Sequence, residues 1–198
     1  MLAGLLLASG ASRRFGSNKL LAPLEGRAIV RWSAEALVRE VDVTYVVVPP
    51  ESHELRTALE GLHVRWVENP NAEVGMGSSI GAGVAALPEE VEAVVITLGD
   101  QPLIDASVIR KIVARWRVAS VTARAVTTAY ADGRGHPTLF GATLFPALRT
   151  IEGDRGGREL LESLGDGVAM VEVDAQRPAD VDTPEALRMV ARTLASRT

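Results

Sequence analysis

The chain has 198 residues, of which 47% are hydrophobic and 23% are charged, as expected for one globular domain with a sizeable core. Its 21 basic and 25 acidic residues give a net charge of −4, so the chain has no general attraction for nucleic acid or anionic membranes. It contains no cysteine, which excludes disulfides and thiolate metal sites. The apolar residues 1–8 follow no basic segment, and no run is long enough for a membrane span. We therefore expect a cytoplasmic protein that binds neither nucleic acid nor membranes.

The first half of the chain alternates apolar runs with amphipathic stretches. Strands that are apolar on both faces and are separated by helices predict a parallel sheet covered on both sides. Ligands bind such sheets beyond the carboxyl ends of the strands. The loops after the first, third and fourth strands should therefore line one ligand-binding site at the carboxyl edge of the sheet, which we call the mouth. The pattern predicts strands over 2–8, 43–48, 62–67 and 93–98, with helices near 28–38, 51–60 and 78–87.

The second half is less regular, and its turn at 132–135 is typical of a hairpin. We expect an α/β fold in one domain, a three-layer sandwich with a mostly parallel sheet. The remaining predicted elements are a helix near 106–118, strands over 121–130 and 137–140, short helices near 142–150 and 157–164, a strand over 168–173 and a helix from 184.

The loop over residues 7–19 follows the first strand and reads Leu-Ala-Ser-Gly-Ala-Ser-Arg-Arg-Phe-Gly-Ser-Asn-Lys. Its small residues let backbone amides approach a ligand closely, as in turns that cradle phosphates. Arg13 adds a forked donor and Lys19 a mobile positive charge for phosphate oxygens. The loop lacks the Gly-Lys-Ser/Thr ending of a Walker A motif and the Gly-x-Gly-x-x-Gly spacing of dinucleotide sites. A solvated turn with surface bases is the structural alternative.

Two further segments follow predicted strands. In residues 75–84 (Gly-Met-Gly-Ser-Ser-Ile-Gly-Ala-Gly-Val), Ser78 or Ser79 could cap a helix whose free amides would contact an anion or a base edge. In residues 98–102 (Leu-Gly-Asp-Gln-Pro), Asp100 supplies one carboxylate at the predicted mouth. Magnesium prefers one or two carboxylates together with phosphate oxygens and water. A capped helix start and a turn aspartate are the structural alternatives.

The segments at 133–140 and 152–158 contain residues that could bind an anion. Arg155, Arg158 and the backbone amides of the Gly-Gly pair beside them could bind a phosphate. His136 could contact a phosphate or a heterocycle edge. A hairpin and a helix start explain the same residues structurally.

Together these segments resemble the MobA-like nucleotidyltransferases, which include the molybdenum cofactor cytidylyltransferases and guanylyltransferases. The first loop is similar to the family's L-A-A-G-x-S-x-R-[FM]-G-x-x-K, from which Ser9 departs where Ala or Gly is usual. Ser12 and Arg14 take the fixed Ser and Arg positions, whereas the residues alone favour Arg13, so we keep both arginines. The matches lie in the family's order along nearly the whole chain.

The other matches carry the family's further sites. Residues 75–84 resemble G-M-G-x-S-[LI]-x-x-G-V, which contacts the nucleotide base, and 98–102 resembles L-x-D-x-P, whose Asp binds the metal. Residues 180–185 resemble D-[IV]-D-T-P-E, where related enzymes place a second metal ligand. We assign that role to Asp182 ahead of Asp180, although a Thr-Pro helix start also explains the segment. Segments 133–140 and 152–158 resemble G-x-P-x-x-[FW] and G-D-x-G-[AG]-R of the cytidylyltransferase branch.

The resemblance implies a fold like that of the nucleotide-diphospho-sugar transferases, with a Rossmann-like nucleotide-binding half over about 1–105 and an acceptor-binding half over about 106–198. It also implies Mg²⁺-dependent transfer of CMP, or of GMP, from CTP or GTP to molybdopterin, with a molybdoenzyme as a client. The implied catalytic residues are Lys19, Arg13, Arg14 and Asp100, and the implied metal ligands are Asp100 and Asp182. The implied nucleotide-binding residues are Leu7, Ala8, Ser9, Gly10, Ser12, Lys19, Met76, Gly77, Ser79 and Gly99. The implied acceptor-binding residues are His136, Pro137, Asp154, Arg155, Gly156 and Arg158.

Two other functions remain open. The chain could transfer a cytidylyl group to methylerythritol phosphate or a sugar phosphate, although the Gly-Met-Gly and Gly-Asp-x-Gly-Gly-Arg matches argue against this. It could also bind a molybdenum cofactor without turnover, as a maturation factor. The presence of Lys19 and Asp100 favours catalysis.

Overall fold

A computed structural model describes residues 1–10, 15, 18–153 and 156–196. Seven strands form the main sheet and two short strands form a separate hairpin. The strands are β1 (Leu2–Leu7), β2 (Pro23–Leu24), β3 (Arg27–Ala28), β4 (Val43–Val48), β5 (Val64–Glu68), β6 (Ala93–Leu98), β7 (Ala125–Tyr130), β8 (Gly133–Gly141) and β9 (Val168–Glu172). The order across the main sheet is β5-β4-β1-β6-β8-β7-β9.

Helices cover both faces of this sheet. The helices of the described residues are α1 (Ile29–Val38), α2 (His53–Ala58), α3 (Met76–Ala85), α4 (Ala106–Ala119), α5 (Phe145–Arg149), α6 (Gly156–Ser163) and α7 (Pro184–Ala195). Of these, α7 packs against β2 and the start of α1 rather than on the sheet. Side chains of α1, α2 and α4 pack on one face, and those of α3, α5 and α6 pack on the other. The predicted α/β class with a mostly parallel sheet is therefore confirmed. Within the described part of the chain, no helix combines the length and the apolar character needed to cross a membrane.

Strand β1 explains why the sheet needs two helical layers. All six of its residues are buried. Successive side chains of a strand point to opposite faces, and Leu2 and Leu6 pack under α1, α2 and α4, whereas Leu5 and Leu7 pack under α3 and α5. A strand that is apolar on both faces can be stable only between two layers.

The register of the central strands brings their following loops together. Leu7 of β1 lies beside Val47 of β4 on one side and Leu98 of β6 on the other. The chain leaves β1 toward β4 and β5 and later returns to β1's other side as β6, which makes the carboxyl end of β1 a topological switch point. Open α/β sheets bind ligands at such points.

The predicted hairpin is present, since β8 pairs antiparallel with β7. The departure from the predicted topology is the place of β8 in the sheet: it also pairs antiparallel with β6, whereas β7 and β9 are parallel, so one reversed strand lies inside the sheet. The hairpin between β7 and β8 is tighter than the predicted turn at 132–135, because Tyr130 already pairs with Gly133. The sequence pattern also missed the small β2–β3 hairpin.

The close packing of α3 on β1 can be tested at Gly83. A Cβ atom there would lie 2.3 Å from Cδ1 of the buried Leu5. Ala normally stabilises a helix relative to Gly by roughly 0.5–1 kcal/mol, but overpacking a core costs about 1–3 kcal/mol. We therefore expect Gly83→Ala to lower the free energy of unfolding, measured by urea denaturation.

The matched control is Gly157→Ala in α6, where a new Cβ would make one ordinary contact, 3.7 Å from Ile80. This substitution should leave stability unchanged or raise it. Equal effects of the two substitutions would contradict the packing described for α3.

Candidate active site

A buried hydrogen-bond network at the carboxyl end of β1 joins the first loop to the end of β5 and to α3. Oγ of Ser9 lies 2.6 Å from Oγ of Ser79, and Nδ2 of Asn69 donates to Oγ of Ser79 at 3.0 Å. All three residues are at least 90% buried. Asn69 follows β5 and Ser79 belongs to α3, so the network ties the first loop to the Gly-Met-Gly segment. The serine at position 9 thus makes a contact that Ala or Gly could not make.

The start of α3 is fixed by glycine. Gly75, which precedes the helix, has φ 127°, a conformation that side chains disfavour. The Gly77 amide donates to the carbonyl of Gly153 at 2.8 Å, and a Cβ at Gly77 would lie 2.8 Å from that same oxygen. The Gly77 amide is therefore engaged within the protein, and the role supported for Gly77 is close packing rather than a direct hydrogen bond to nucleotide.

Gly99 lies where β6 ends beside β1. Its amide donates to the carbonyl of Leu7 at 2.9 Å, and a Cβ would lie 3.2 Å from that oxygen. The amide of Ala8 similarly donates to Val47 at 2.8 Å. These bonds hold the ends of three parallel strands level, with Gly10 exposed at the mouth.

An ion cluster lies at this mouth. Nζ of Lys19 is 2.5 Å from Oδ2 of Asp100 and 2.5 Å from Oδ1 of Asp182. The Lys19 side chain is 10% exposed and that of Asp100 18%, whereas that of Asp182 is 47% exposed. Along the chain, Asp100 lies 81 positions and Asp182 lies 163 positions from Lys19. The fold thus brings these three predicted site residues together, as expected.

In the segment that carries Asp182, a buried valine lies between two aspartates and anchors them. The amide of Val181 donates to the carbonyl of Asp100 at 3.0 Å, and the Val181 side chain is fully buried. Its neighbours Asp180 and Asp182 extend toward the mouth, where Asp180 accepts from Nε2 of Gln101 at 2.7 Å. Lys19 therefore bridges to Asp182, and Gln101 binds Asp180.

The electrostatics of this cluster favour a further cation. Burial opposes the charge on Lys19, but the attraction of Asp100 and hydrogen bonds to Asp100 and Asp182 outweigh it and raise the pKa of Lys19. Loss of solvation around the carboxyl of Asp180, together with the negative charge of Asp100, raises the pKa of Asp180. Counting the described residues, one ammonium thus faces three carboxyl groups, which leaves an excess of negative charge among them.

Two carboxylates that converge on one point fit a magnesium-type ion, which takes its other ligands from phosphate and water. Among the described residues there is no cluster of three or more His, Asp or Glu side chains arranged for a metal, so an all-protein cage is not formed there. Asp100 and Asp182 are the two carboxylates that could hold such an ion.

A cavity of about 850 Å³ adjoins this cluster. Gln101 and Asp180 form its border with the ion cluster, and α3, α6 and the β7–β8 hairpin form its other walls. Two of the three buried side-chain oxygens that lack a hydrogen-bond partner in the described structure, Oε1 of Gln101 and Oγ1 of Thr127, belong to residues in its wall. Buried polar atoms are normally paired, so this wall is suited to a polar ligand.

His136 lines the cavity in a neutral form. Burial lowers the pKa of its imidazole, against the opposing effects of the Ile96 carbonyl and the charge of Asp100. Nδ1 lies 3.3 Å from that carbonyl oxygen, which can only accept, so Nδ1 carries the proton and Nε2 is an acceptor. Tyr130 donates to the carbonyl of His136 at 2.7 Å and fixes the strand here. A hydrogen bond to a heterocycle suits this residue better than a charge interaction with phosphate.

Of the other predicted acceptor-binding residues, some lie at the cavity and some do not. Arg158 lines the cavity and pairs with Glu162 at 3.1 Å, and Gly156 begins α6. Pro137 is buried, its carbonyl accepts from Thr128 at 2.9 Å, and it is not among the described residues that line the cavity. Met76, predicted to bind nucleotide, lines the cavity on the α3 side. The predictions for Ser12, Arg13, Arg14, Asp154 and Arg155 lie outside the described residues.

Comparison with known proteins identifies the family of this chain. The model of the MobA-like NTP transferase domain matches residues 4–168. The chain belongs to this family. The resemblance first noted in the loop motifs is thereby confirmed for most of the chain.

Individual relatives of the MobA-like family support the assignment. The chain is 33% identical to the purine catabolism protein PucB of Bacillus subtilis over 98% of this chain and 97% of PucB. It is 29% identical to a 2-C-methyl-D-erythritol 4-phosphate cytidylyltransferase of Prochlorococcus marinus over 66% of this chain and 62% of that enzyme. The fold is similar to Rv0371c of Mycobacterium tuberculosis, with a TM-score of 0.82 and 28% identity over 96% of this chain and 97% of that one. A second structure of Rv0371c, with a TM-score of 0.79, is a complex with manganese.

Sequence reasoning missed several residues that shape this MobA-like site. Asn69, Gln101 and Thr127 make or border the contacts described above, and Arg177 binds Asp132 at the hairpin tip through its amide and Nε, at 2.8 and 2.9 Å. A polar residue directly after a predicted strand, as at Asn69, is a signal that could have been used. No pattern in the sequence distinguishes Thr127 from other strand threonines.

The neutral state of His136 predicts a pH dependence of stability. With its pKa lowered in the folded protein, the unfolded chain binds more protons as the pH falls below about 6.5, the ordinary value, so stability falls with acidification in that range. We expect His136→Gln to weaken this acid-induced loss, measured as the free energy of unfolding in urea at several pH values. The exposed His63 supplies the control, His63→Gln. An unchanged pH profile in the His136 variant would show that this imidazole is not held neutral by burial.

Proposed function

We propose that this chain transfers a nucleoside monophosphate from a nucleoside triphosphate to molybdopterin or a molybdenum cofactor, with CMP favoured and GMP as the alternative. The observation that carries the proposal is the Lys19–Asp100–Asp182 cluster at the mouth of the sheet, beside a cavity large enough for a heterocyclic acceptor. Residues 1–105 would serve mainly the nucleotide and residues 106–198 mainly the acceptor.

The proposed nucleotide site lies over the ends of β1 and β6. Lys19 would bind triphosphate oxygens as a mobile charge, together with Arg13 or Arg14. The buried Ser9–Ser79 contact would hold the first loop against α3, next to the base. Asp100 and Asp182 would hold Mg²⁺, which supplies charge neutralisation at the phosphates when bound. The manganese in Rv0371c supports a divalent ion at such a site.

In the proposed reaction an oxygen of the acceptor's terminal phosphate forms a bond to the α-phosphorus. The bond from that phosphorus to the bridging β-phosphate oxygen breaks, and pyrophosphate leaves with the bonding electron pair. An ionised phosphate needs no general base, so the protein's task is positioning and charge stabilisation. Lys19 places a positive charge beside the two carboxylates that would hold the cation and is therefore suited to stabilise the leaving pyrophosphate.

The cavity favours a heterocyclic acceptor over a simple sugar phosphate. Nε2 of His136, Oε1 of Gln101 and Oγ1 of Thr127 offer hydrogen-bonding atoms along the sheet side of the cavity, and Arg158 of α6 supplies positive charge. A pterin carries ring N–H and carbonyl groups that could use such partners. The cytidylyltransferase relative keeps methylerythritol phosphate as the enzymatic alternative, and tight pterin binding without turnover is the non-enzymatic one.

A screen of each nucleoside triphosphate against each acceptor separates these functions. Pyrophosphate release should require CTP or GTP, molybdopterin and Mg²⁺ together. Turnover with methylerythritol phosphate or a sugar phosphate would select the first alternative, and pterin binding without consumption of any triphosphate would select the maturation factor.

Asp100 should be essential in that assay. Removal of a metal ligand leaves the cation weakly held, so Asp100→Ala should lower pyrophosphate release by more than about a hundredfold while the protein stays folded by circular dichroism. Asp166→Asn, an exposed position before β9, is the control and should retain normal turnover. Near-normal rates in Asp100→Ala would remove this carboxylate from the reaction.

The cavity wall proposed to bind the acceptor can be tested by replacing each of two threonines with valine, which has nearly the same shape but no hydroxyl group. Thr127 and Thr97 are both buried with unpartnered hydroxyl oxygens, but of the two only Thr127 lines the cavity. Loss of one ligand hydrogen bond costs about 1 kcal/mol, so Thr127→Val should raise the KM for the acceptor severalfold to tenfold and leave the KM for the triphosphate unchanged. Thr97→Val should change neither constant. If both variants behave alike, the Thr127 hydroxyl does not contact the acceptor.

A further inference from the structure

We propose that, in the nucleotide-free protein, the Lys19 ammonium occupies the position between Asp100 and Asp182 that a divalent cation takes during the reaction, and that Lys19 leaves this position when a triphosphate binds. The cation then enters together with the nucleotide rather than before it. This inference rests on the proposed function, because it concerns the order in which that site is filled.

The first support is geometric. Nζ of Lys19 lies at the same distance, 2.5 Å, from one oxygen of each carboxylate. It therefore sits at the point on which the two side chains converge. The Lys19 side chain is 10% exposed and that of Asp182 is 47% exposed, so the ammonium lies in a partly buried position. Another cation could bind both oxygens only after the ammonium had moved away.

The second support is the charge of the cluster. Lys19 forms ion pairs with Asp100 and Asp182 at the same time and so neutralises part of the repulsion between these two carboxylates. Without the ammonium, two adjacent carboxylates would remain unneutralised in a partly buried place, where Coulomb interactions are stronger than in water. Lys19 and a cation thus compete for the same two oxygens.

The third support is that the movement can be confined to the side chain. Lys19 begins a 3₁₀ turn, Lys19–Leu21, and Oδ1 of Asn18 accepts from the amide of Leu20 at 3.2 Å. Leu20 is 3% exposed and packs in the core. The backbone is therefore anchored, while the four-carbon stem of a lysine can redirect its ammonium. A triphosphate at the mouth would offer Lys19 an alternative set of anionic oxygens.

This exchange couples the two ligands. A nucleotide that draws Lys19 toward its phosphates makes Asp100 and Asp182 available, so nucleotide binding should raise the affinity of the protein for the cation, and linkage requires the reverse as well. The free protein should accordingly bind a divalent cation weakly even though both carboxylates are already in place.

The test is Mn²⁺ binding in the absence of nucleotide, measured from the electron paramagnetic resonance signal of the free ion. Lys19→Met should bind Mn²⁺ at least about tenfold more tightly than the wild type, a change of about 1.4 kcal/mol. Lys19→Arg, which keeps the positive charge, should remain close to the wild type. The chain has one other lysine, Lys111, and Lys111→Met is the matched control that should leave Mn²⁺ binding unchanged.

Equal or weaker Mn²⁺ binding by Lys19→Met, or an equal gain in Lys111→Met, would overturn the inference. Should Lys19→Met fail to fold, the wild type decides alone. Its Mn²⁺ affinity should be weak without nucleotide and rise when α,β-methylene-CTP is added, beyond the binding of Mn²⁺ by that nucleotide itself. Tight Mn²⁺ binding by the free wild type would contradict the exchange.

The outcomes separate this inference from the proposed function. A protein that binds the CTP and GTP analogues neither with Mn²⁺ nor without it would contradict the proposed transferase activity. A protein that binds an analogue with Mn²⁺, but whose Lys19→Met variant shows no gain in Mn²⁺ affinity, would leave the transferase proposal intact and reject the role of Lys19 as the occupant of the cation position.

Discussion

The bridge from Lys19 to Asp100 and Asp182 is the interaction on which the site depends. It joins the segment after β1, the end of β6 and the segment before α7. Asp100 and Asp182 lie 81 and 163 residues, respectively, from Lys19 along the chain. A partly buried ion pair contributes to stability only if its remaining polar groups are satisfied. In the part of the chain that the structure describes, one ammonium faces an excess of carboxylates, so this cluster is better suited to binding a charged ligand than to stabilising the fold.

The rest of the structure positions this cluster. The apolar faces of β1 require helices on both sides, and its central place in the sheet puts the first loop beside Asp100. Val181 is buried and bound to the Asp100 backbone, which carries Asp182 to the same mouth. The reversed strand β8 turns the hairpin toward α6 and so forms the neighbouring cavity. Membership of the MobA-like NTP transferase family agrees with a nucleotide at the mouth and leaves the acceptor to be determined.

The sequence predicts the parallel half of the fold well, because its strands are apolar on both faces and are separated by amphipathic helices. The predicted strands at 43–48 and 93–98 agree with β4 and β6 residue for residue. The antiparallel pairing of β7 with β8 could be predicted from the hairpin turn, whereas the insertion of β8 between β6 and β7 could not, since either strand of a hairpin could have paired with β6. Asp100 and Lys19 could be predicted from strand ends and motifs, whereas the Ser9–Ser79 contact joins residues 70 positions apart that only the folded chain brings together.

The most direct test is a crystal structure with α,β-methylene-CTP and Mn²⁺, in which manganese is located by its anomalous scattering. The account predicts a manganese peak within coordination distance of Asp100 and Asp182, with the triphosphate over the end of β1 and Lys19 on its phosphates. Manganese or nucleotide bound elsewhere, with Lys19 still between the two carboxylates, would contradict it.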